Sequence, residues 1–294
     1  MRTRACALLI AVLLLPLAGC GGSGASALWK AGAAPSSCGA SAPGWDCAWQ
    51  RRFADATALL QRQPGQLGIV VQDRQTGSSW RAGATRHTSY TASTIKLAIA
   101  ATLLERARAG QLTLSGTDRT AMAEMLNVSS NDAATALWNA YDGPGMLDGF
   151  RTRYGMTGLT PAPGYSVFWR HLFCTAEDLR NLMAYVLDKL HLSDRAYLVN
   201  ALRGVAASQH WGVWAAGPAL LPGNKDGWAF KPDTNPDHWV THSVGFAGPR
   251  ERYIVAVTYE LPPSSSMADG IHAVSDLVAL VFGAPTPASV ELPQ

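Results

Sequence analysis

The sequence predicts an α/β (α+β) fold: a five-stranded antiparallel sheet flanked by helices, plus an all-helical lobe. Three observations predict it. Strand patterns fall in two groups far apart in the chain, two between residues 67 and 82 and three between residues 221 and 259. Helical patterns fill the interval and also precede and follow the strands, which suits one sheet covered by helices, with the insert forming a second lobe. Inside that interval, residues 97–104 (LAIAATLL) are apolar on every side, so their helix belongs in an interior.

Each element has its own signal. Residues 46–63 carry an apolar stripe at Trp49, Phe53, Ala56, Leu59 and Leu60 and read as the first helix. Residues 67–73 read as a strand, Gln75-Thr76-Gly77 as a turn and residues 79–82 as the paired strand. The central helix follows Tyr90, with Thr91 or Ser89 as its expected cap and Gly110 as its stop. Residues 122–140 read as one further helical stretch, and residues 143–173, with Pro161, Pro163 and Gly164, as a long surface segment. Thr175 caps a helix over residues 176–190, and residues 193–204 form a short one. Residues 221–228 lead into the third strand, residues 238–246 alternate as the fourth, and residues 253–259 make the fifth. Residues 267–282 close with a helix, and residues 284–294 read as a loose tail.

Composition sets the class. The 294 residues are 48% hydrophobic and 15% charged, enough for a large core and too apolar for a disordered chain. A net charge of +3 with no basic run argues against a nucleic-acid partner. At the N-terminus, Arg2 and Arg4 precede an apolar stretch over residues 5–17, too short to span a bilayer, which reads as a signal peptide over residues 1–19. Leu17-Ala18-Gly19-Cys20 resembles the bacterial lipobox, which implies lipidation of Cys20 and an exported protein anchored to the outer face of the plasma membrane or to an outer membrane. Residues 20–45 are rich in Gly, Ala, Ser and Pro and form a tether, leaving residues 46–283 as the domain. Cys38 and Cys47 are candidates for a small-loop disulfide in an exported chain, and Cys174 is then the odd, buried thiol. No spacing suits a metal, no cofactor is expected, and the chain reads as a monomer acting on a small molecule or a peptidoglycan peptide.

The chemistry-bearing stretch is Ser93-Thr94-Ile95-Lys96, at the mouth of the buried helix. A serine and a lysine three apart share one face of a first turn, and an amine held in a dry pocket can act as a base toward the hydroxyl. Alone this pattern is weak, since a cap residue and a solvated lysine give the same letters. Two later stretches join it: Ser129-Ser130-Asn131 and Lys225-Asp226-Gly227. Each also has a bland reading, as a turn before a helix and as a hairpin turn. Together, and in this order, the three resemble the Ser-x-x-Lys, Ser-Asp-Asn and Lys-Thr-Gly elements of class A β-lactamases and penicillin-binding proteins.

The resemblance implies roles. Ser93 would be the nucleophile and form an acyl-enzyme. Lys96 would be its base, which needs a pKa about 3 units below the usual ~10.4, with burial and Lys225 supplying the shift. Ser129 would pass a proton to the leaving group. Asn131, Lys225, Asp226, Gly227 and Trp228 would contact substrate, with the backbone N–H groups of Ser93 and Trp228 as the oxyanion hole. His242 reads as an ordinary strand histidine, and most of the tryptophans as core or pocket wall.

Departures temper what is implied. The family's Arg-x-Glu-x-x-Leu-Asn loop, whose glutamate activates the deacylating water, is missing: between Ala133 and Thr175 the acids are Asp142 and Asp148. Asp226 stands where a hydroxyl residue usually meets the substrate carboxylate, and would repel a carboxylate unless it pairs with Lys225 or points away; the stretch from Lys96 to Ser129 is short, so an open site is expected. These features imply a serine hydrolase that acylates on amides, esters or β-lactams and releases β-lactams slowly. The rival is a retired enzyme, a surface lipoprotein that binds a wall peptide or a protein partner. An α/β-hydrolase is disfavoured because Gly164-Tyr165-Ser166-Val167-Phe168 lacks the second glycine of the nucleophile turn.

Overall fold

The computed structural model describes residues 42–231 and 236–293, all within the second of the chain's two compact units, residues 38–294. The expected signal segment, the lipidation candidate Cys20 and the disulfide candidate Cys38 lie outside the described residues. Cys47 is disulfide-bonded, and Cys174 is a free, buried thiol.

One antiparallel sheet organises the domain. Its strands are β1 (Gln66–Asp73), β2 (Ser79–Gly83), β6 (Gly223–Lys231), β7 (His238–Ala247) and β8 (Tyr253–Glu260), in the order β2-β1-β8-β7-β6. A small sheet of β3 (Ser89–Tyr90), β5 (Leu172–Cys174) and β4 (Thr160–Pro161) sits at the junction with the insert. The terminal helices α1 (Cys47–Leu60) and α8 (Met267–Phe282) share one core with a sheet face, built around Phe53, Trp80, Val255 and Leu277. The other core belongs to the insert. It gathers α2 (Lys96–Arg108), α3 (Gly116–Asn127), α4 (Asn131–Ala140), α5 (Leu147–Thr152), α6 (Ala176–Asp188) and α7 (Leu192–Arg203). Residues 97–104 are all buried, as their uniform apolarity predicts. Thr175 caps α6 in a reciprocal box with Asp178, its Oγ1 accepting the Asp178 N–H at 3.1 Å.

Four local expectations are corrected. The central helix has no side-chain cap: Thr91 is itself αR, Ser89 lies in β3, and the turn Ala92–Ile95 is a 3-10 helix entered through Ala92 at φ +45°. The stretch over residues 122–140 is two helices, broken where Ser129 adopts φ +59°. The segment over residues 143–173 is not all surface, since Met146, Phe150, Met156, Leu159 and Trp169 point into the insert's core. The tail is not loose either: the Ala288 N–H donates to Asp276 Oδ1 at 2.6 Å, and Ala288 is buried. The burial within residues 143–173 was hidden because it rests on contacts between distant segments. The break at Ser129 has a local cause, since a non-glycine residue at positive φ stops a helix.

Candidate active site

Four segments converge on one point. The 3-10 turn brings Ser93, α2 opens with Lys96, the α3–α4 break presents Ser129 and Asn131, and β6 brings Lys225 and Gly227. Ser130, the middle residue of its triplet, caps α4 by accepting the Ala133 N–H at 3.2 Å. That triplet is therefore both a helix-opening turn and part of the site.

Lys96 is fully buried, at 0% exposure. Its Nζ donates to Ser129 O at 2.6 Å and Asn131 Oδ1 at 2.8 Å, and lies 3.2 Å from Ser129 Oγ. Among the described residues no carboxylate pairs with it. Burial, then the charges of Lys225 and Arg170, push its pKa down to about 6. The indole face of Trp169 lies against the amine, 4.9 Å from Nζ to the ring centroid.

Ser129 Oγ joins the two lysines, since Lys225 Nζ donates to it at 3.0 Å and also to Asp226 O at 2.8 Å. The left-handed backbone of Ser129 is what lets its carbonyl face Lys96 while its hydroxyl reaches Lys225. Gly227 is required by contact: a Cβ there would stand 2.7 Å from the Ser93 backbone nitrogen and 2.9 Å from that of Thr94. Lys225-Asp226-Gly227 is thus a strand segment packed on the Ser93 turn and not a hairpin.

Two expectations about these residues fail. Lys96 does not hydrogen-bond Ser93; its donors are taken by Ser129 and Asn131, and Ser93 Oγ makes no hydrogen bond among the described residues. The Ser129 carbonyl, turned onto the amine, accounts for this. Asp226 does not face substrate. Neighbours on a strand alternate faces, so with Lys225 and Gly227 turned to the site, Asp226 points behind it. Its Oδ1 accepts from Ser243 Oγ at 2.6 Å, and Ser243 Oγ accepts the Val213 N–H at 2.9 Å. Burial pushes the Asp226 carboxyl up. The same burial lowers Lys225, and the nearby Asp226 charge opposes that shift.

His242 is an ordinary strand histidine. It is fully buried, its Nε2 lies 2.7 Å from Tyr90 O, and its Nδ1 accepts the Tyr259 N–H at 3.1 Å. Burial lowers it to about 4, so it is neutral and ties β7 to the strand that leads into the Ser93 turn.

A cavity of about 300 Å³ opens over Ser93, which is 8% exposed. Of the residues expected from the sequence, Ser93, Asn131 and Trp228 line it, while Lys96, Ser129 and Lys225 are buried behind it. The lining residues that sequence reasoning missed are Ala92, Trp169, Arg170, Ala229, Phe230 and Lys231. Phe230 and Lys231 continue β6 past Trp228, a signal that was available. Trp169 and Arg170 come from the insert segment whose pattern is weak, and nothing local marks them. Among the described residues no cluster of His, Cys, Asp and Glu could hold a metal, and no helix is long and apolar enough to cross a membrane.

The fold is that of the class A β-lactamases. Residues 51–151 match the model of the family described as Beta-lactamase enzyme family. A β-lactamase from Burkholderia vietnamiensis superposes with a TM-score of 0.63 at 21% identity, over 82% of this chain and 97% of its own. An ancestral (GNCA) class A β-lactamase gives 0.63 at 21% identity, over 80% and 99%. In sequence, the chain is 28% identical over 226 residues to "Putative lipoprotein LppW" of Mycobacterium tuberculosis, spanning 74% of this chain and 70% of that protein. The chain is thus similar to class A β-lactamases in fold and to a mycobacterial protein named as a lipoprotein in sequence.

Proposed function

We propose that the chain is a serine hydrolase of the cell envelope that forms an acyl-enzyme on Ser93 with amide, ester or β-lactam substrates and releases β-lactams slowly. One observation carries this reading: a fully buried amine with no carboxylate partner, Lys96, shares the Ser129 hydroxyl with Lys225 directly behind the cavity that Ser93 lines. A neutral amine has two N–H donors and one lone pair. Ser129 O and Asn131 Oδ1 occupy the donors, which leaves the lone pair for a proton.

In the proposed sequence Ser93 Oγ attacks the carbonyl carbon and its proton passes to Lys96. The carbonyl oxygen gathers charge against the backbone N–H groups of Ser93 and Trp228. Ser129, polarised by the Lys225 ammonium, gives its hydroxyl proton to the leaving nitrogen or oxygen as its bond to carbon breaks, and its oxygen takes up the proton that Lys96 accepted from Ser93. Among the described residues no carboxylate lines the cavity to serve as a base for deacylation. Asp142 accepts the Gly145 N–H at 3.2 Å, and Asp148 pairs with Arg151 at 3.7 Å, so neither is at the site.

The lipobox-like Leu17-Ala18-Gly19-Cys20 and the printed name of the mycobacterial relative support export and lipid anchoring. A binder without covalent chemistry is the second reading, favoured by the Ser93 hydroxyl having no bond to Lys96. Labelling with a fluorescent penicillin or a fluorophosphonate separates the two. The hydrolase reading expects a covalent band lost in Ser93→Ala, and an unlabelled wild-type protein would leave only the binder.

A further inference from the structure

Behind the active site, on the other face of β6, lies a carboxyl that the proposed chemistry does not use. Asp226 is fully buried. Its Oδ1 accepts from Ser243 Oγ at 2.6 Å, and its Oδ2 is buried without a hydrogen-bond partner. Among the described residues no cation pairs with it. Lys225 leaves the strand on the opposite side, and its Nζ is spent on Ser129 Oγ and on the Asp226 main-chain oxygen. The other charged groups around β6 are engaged elsewhere. On β7, His242 is held by Tyr90 O and the Tyr259 N–H, and His238, at the far end, lies 3.7 Å from Glu260. On α7, Asp194 pairs with Arg108 at 2.6 Å, and Arg195 and Arg203 pair with Glu251 at 2.6 and 2.7 Å. The turns packed on the strand, Ala92–Ile95, Ala207–Gln209 and Gly212–Ala216, carry no titratable side chain.

A second unpartnered oxygen stands on the same face. Asn224 lies two positions before Asp226, and its side chain is within hydrogen-bonding reach of the carboxyl. Its Nδ2 donates to Gln209 O at 3.0 Å and to Trp211 O at 3.3 Å, which fixes the amide, and its Oδ1 is buried without a partner. Two acceptors cannot satisfy one another. A proton on the carboxyl turns one of them into a donor and removes a buried charge that nothing on its face balances. Burial favours the same protonated form.

We infer that Asp226 is a positioning residue that holds a proton: as a neutral acid it ties β6 to Ser243, and through Ser243 to the turn at Val213, and it leaves the Lys225 charge whole for the Ser129 hydroxyl on the other face. The part played toward Ser129 rests on the acyl-enzyme reading above; the proton does not.

Stability tests the proton. An unfolded aspartate loses its proton near about 3.9. The folded carboxyl keeps it to higher pH, so its contribution to stability is full below about 3.9 and is lost as pH rises toward the raised folded value. Asp226→Asn keeps the shape and needs no proton. The difference in melting temperature, variant minus wild type, should therefore grow by at least about 4 °C between about pH 5 and about pH 7.5. A difference that stays constant or shrinks would overturn the inference. Infrared spectra of wild-type protein labelled with carbon-13 at the aspartate carboxyls need no variant. A label-sensitive carboxylic-acid band is expected at about pH 7, where free aspartates are ionised. Its absence, or its persistence in folded Asp226→Asn, would also overturn the inference. In Ser93 acylation, Asp226→Asn should leave the low-pH loss near about 6, since no negative charge is removed. A midpoint lowered by about one unit would show that the wild-type carboxyl is ionised. A wild type that is never acylated would count against the acyl-enzyme reading alone, and the melts and spectra would still decide this inference.

Discussion

The Lys96 amine lies against the face of Trp169, 4.9 Å from the ring centroid. The indole is buried, and its Nε1–H donates to Thr135 Oγ1 at 3.3 Å, so the ring cannot swing away without breaking that bond. The contact keeps water off the amine, and a dehydrated ammonium gives up its proton readily. The consequences can be measured.

The first is a pH profile. The reactive form is the neutral amine, so Ser93 acylation should be lost as pH falls through about 6. Below that point the rate should drop about tenfold per unit. The same shift affects stability. Unfolded lysine keeps its proton up to about 10.4. Between about 6 and that value, only the unfolded chain binds the proton, so the Lys96 contribution to stability grows as pH rises. Adduct formation against pH by mass spectrometry checks the kinetic half, and urea midpoints of wild type against Lys96→Met check the other.

Trp169→Ala should rehydrate the amine and move the midpoint of the pH profile upward by about one unit, while Trp169→Phe should leave it nearly in place. A profile unmoved by Trp169→Ala would separate the ring from the pKa.

Gly227→Ala should be severe for its size. The new methyl would stand 2.7 Å from the Ser93 nitrogen, so either the turn or β6 must shift. We expect a loss of about 100-fold in acylation, with about 1–3 kcal/mol of stability. Thermal melts and adduct rates on the purified variant measure both.

Ser129 can be tested without backbone strain. Because its φ is +59°, Ser129→Gly removes the hydroxyl and keeps a backbone that glycine adopts freely. Acylation should fall by about 10²–10⁴-fold with little change in fold. Ser129→Ala should lose as much activity and also some stability.

Release of β-lactams should be slow, since among the described residues no carboxylate lines the cavity. With nitrocefin, a burst of about one equivalent followed by slow turnover is expected. Fast multiple turnover would show that some other group activates water.

Much of this was legible in the sequence. The order of elements follows from hydrophobic patterning, and Ser93, Lys96, Ser129 and Lys225 stand in short motifs whose residue types carry their chemistry. The rest depends on contacts that no local pattern encodes. Asp226 looks like a substrate contact in one dimension, and only strand alternation against Lys225 and Gly227 turns it toward Ser243. Trp169 and Arg170 lie in a segment without periodicity, so no local pattern marks their place at the cavity. The hydrogen bond expected between Ser93 and Lys96 is displaced by a carbonyl more than thirty residues away, Ser129 O.

The central claim is that Ser93 becomes acylated with Lys96 as its base, and intact-mass measurement after incubation with an activated ester tests it most directly. A single acyl adduct is expected on the wild-type protein, absent from Ser93→Ala and strongly diminished in Lys96→Met. An adduct that persists in Ser93→Ala, or a wild-type protein that stays unmodified at pH 8, would contradict it.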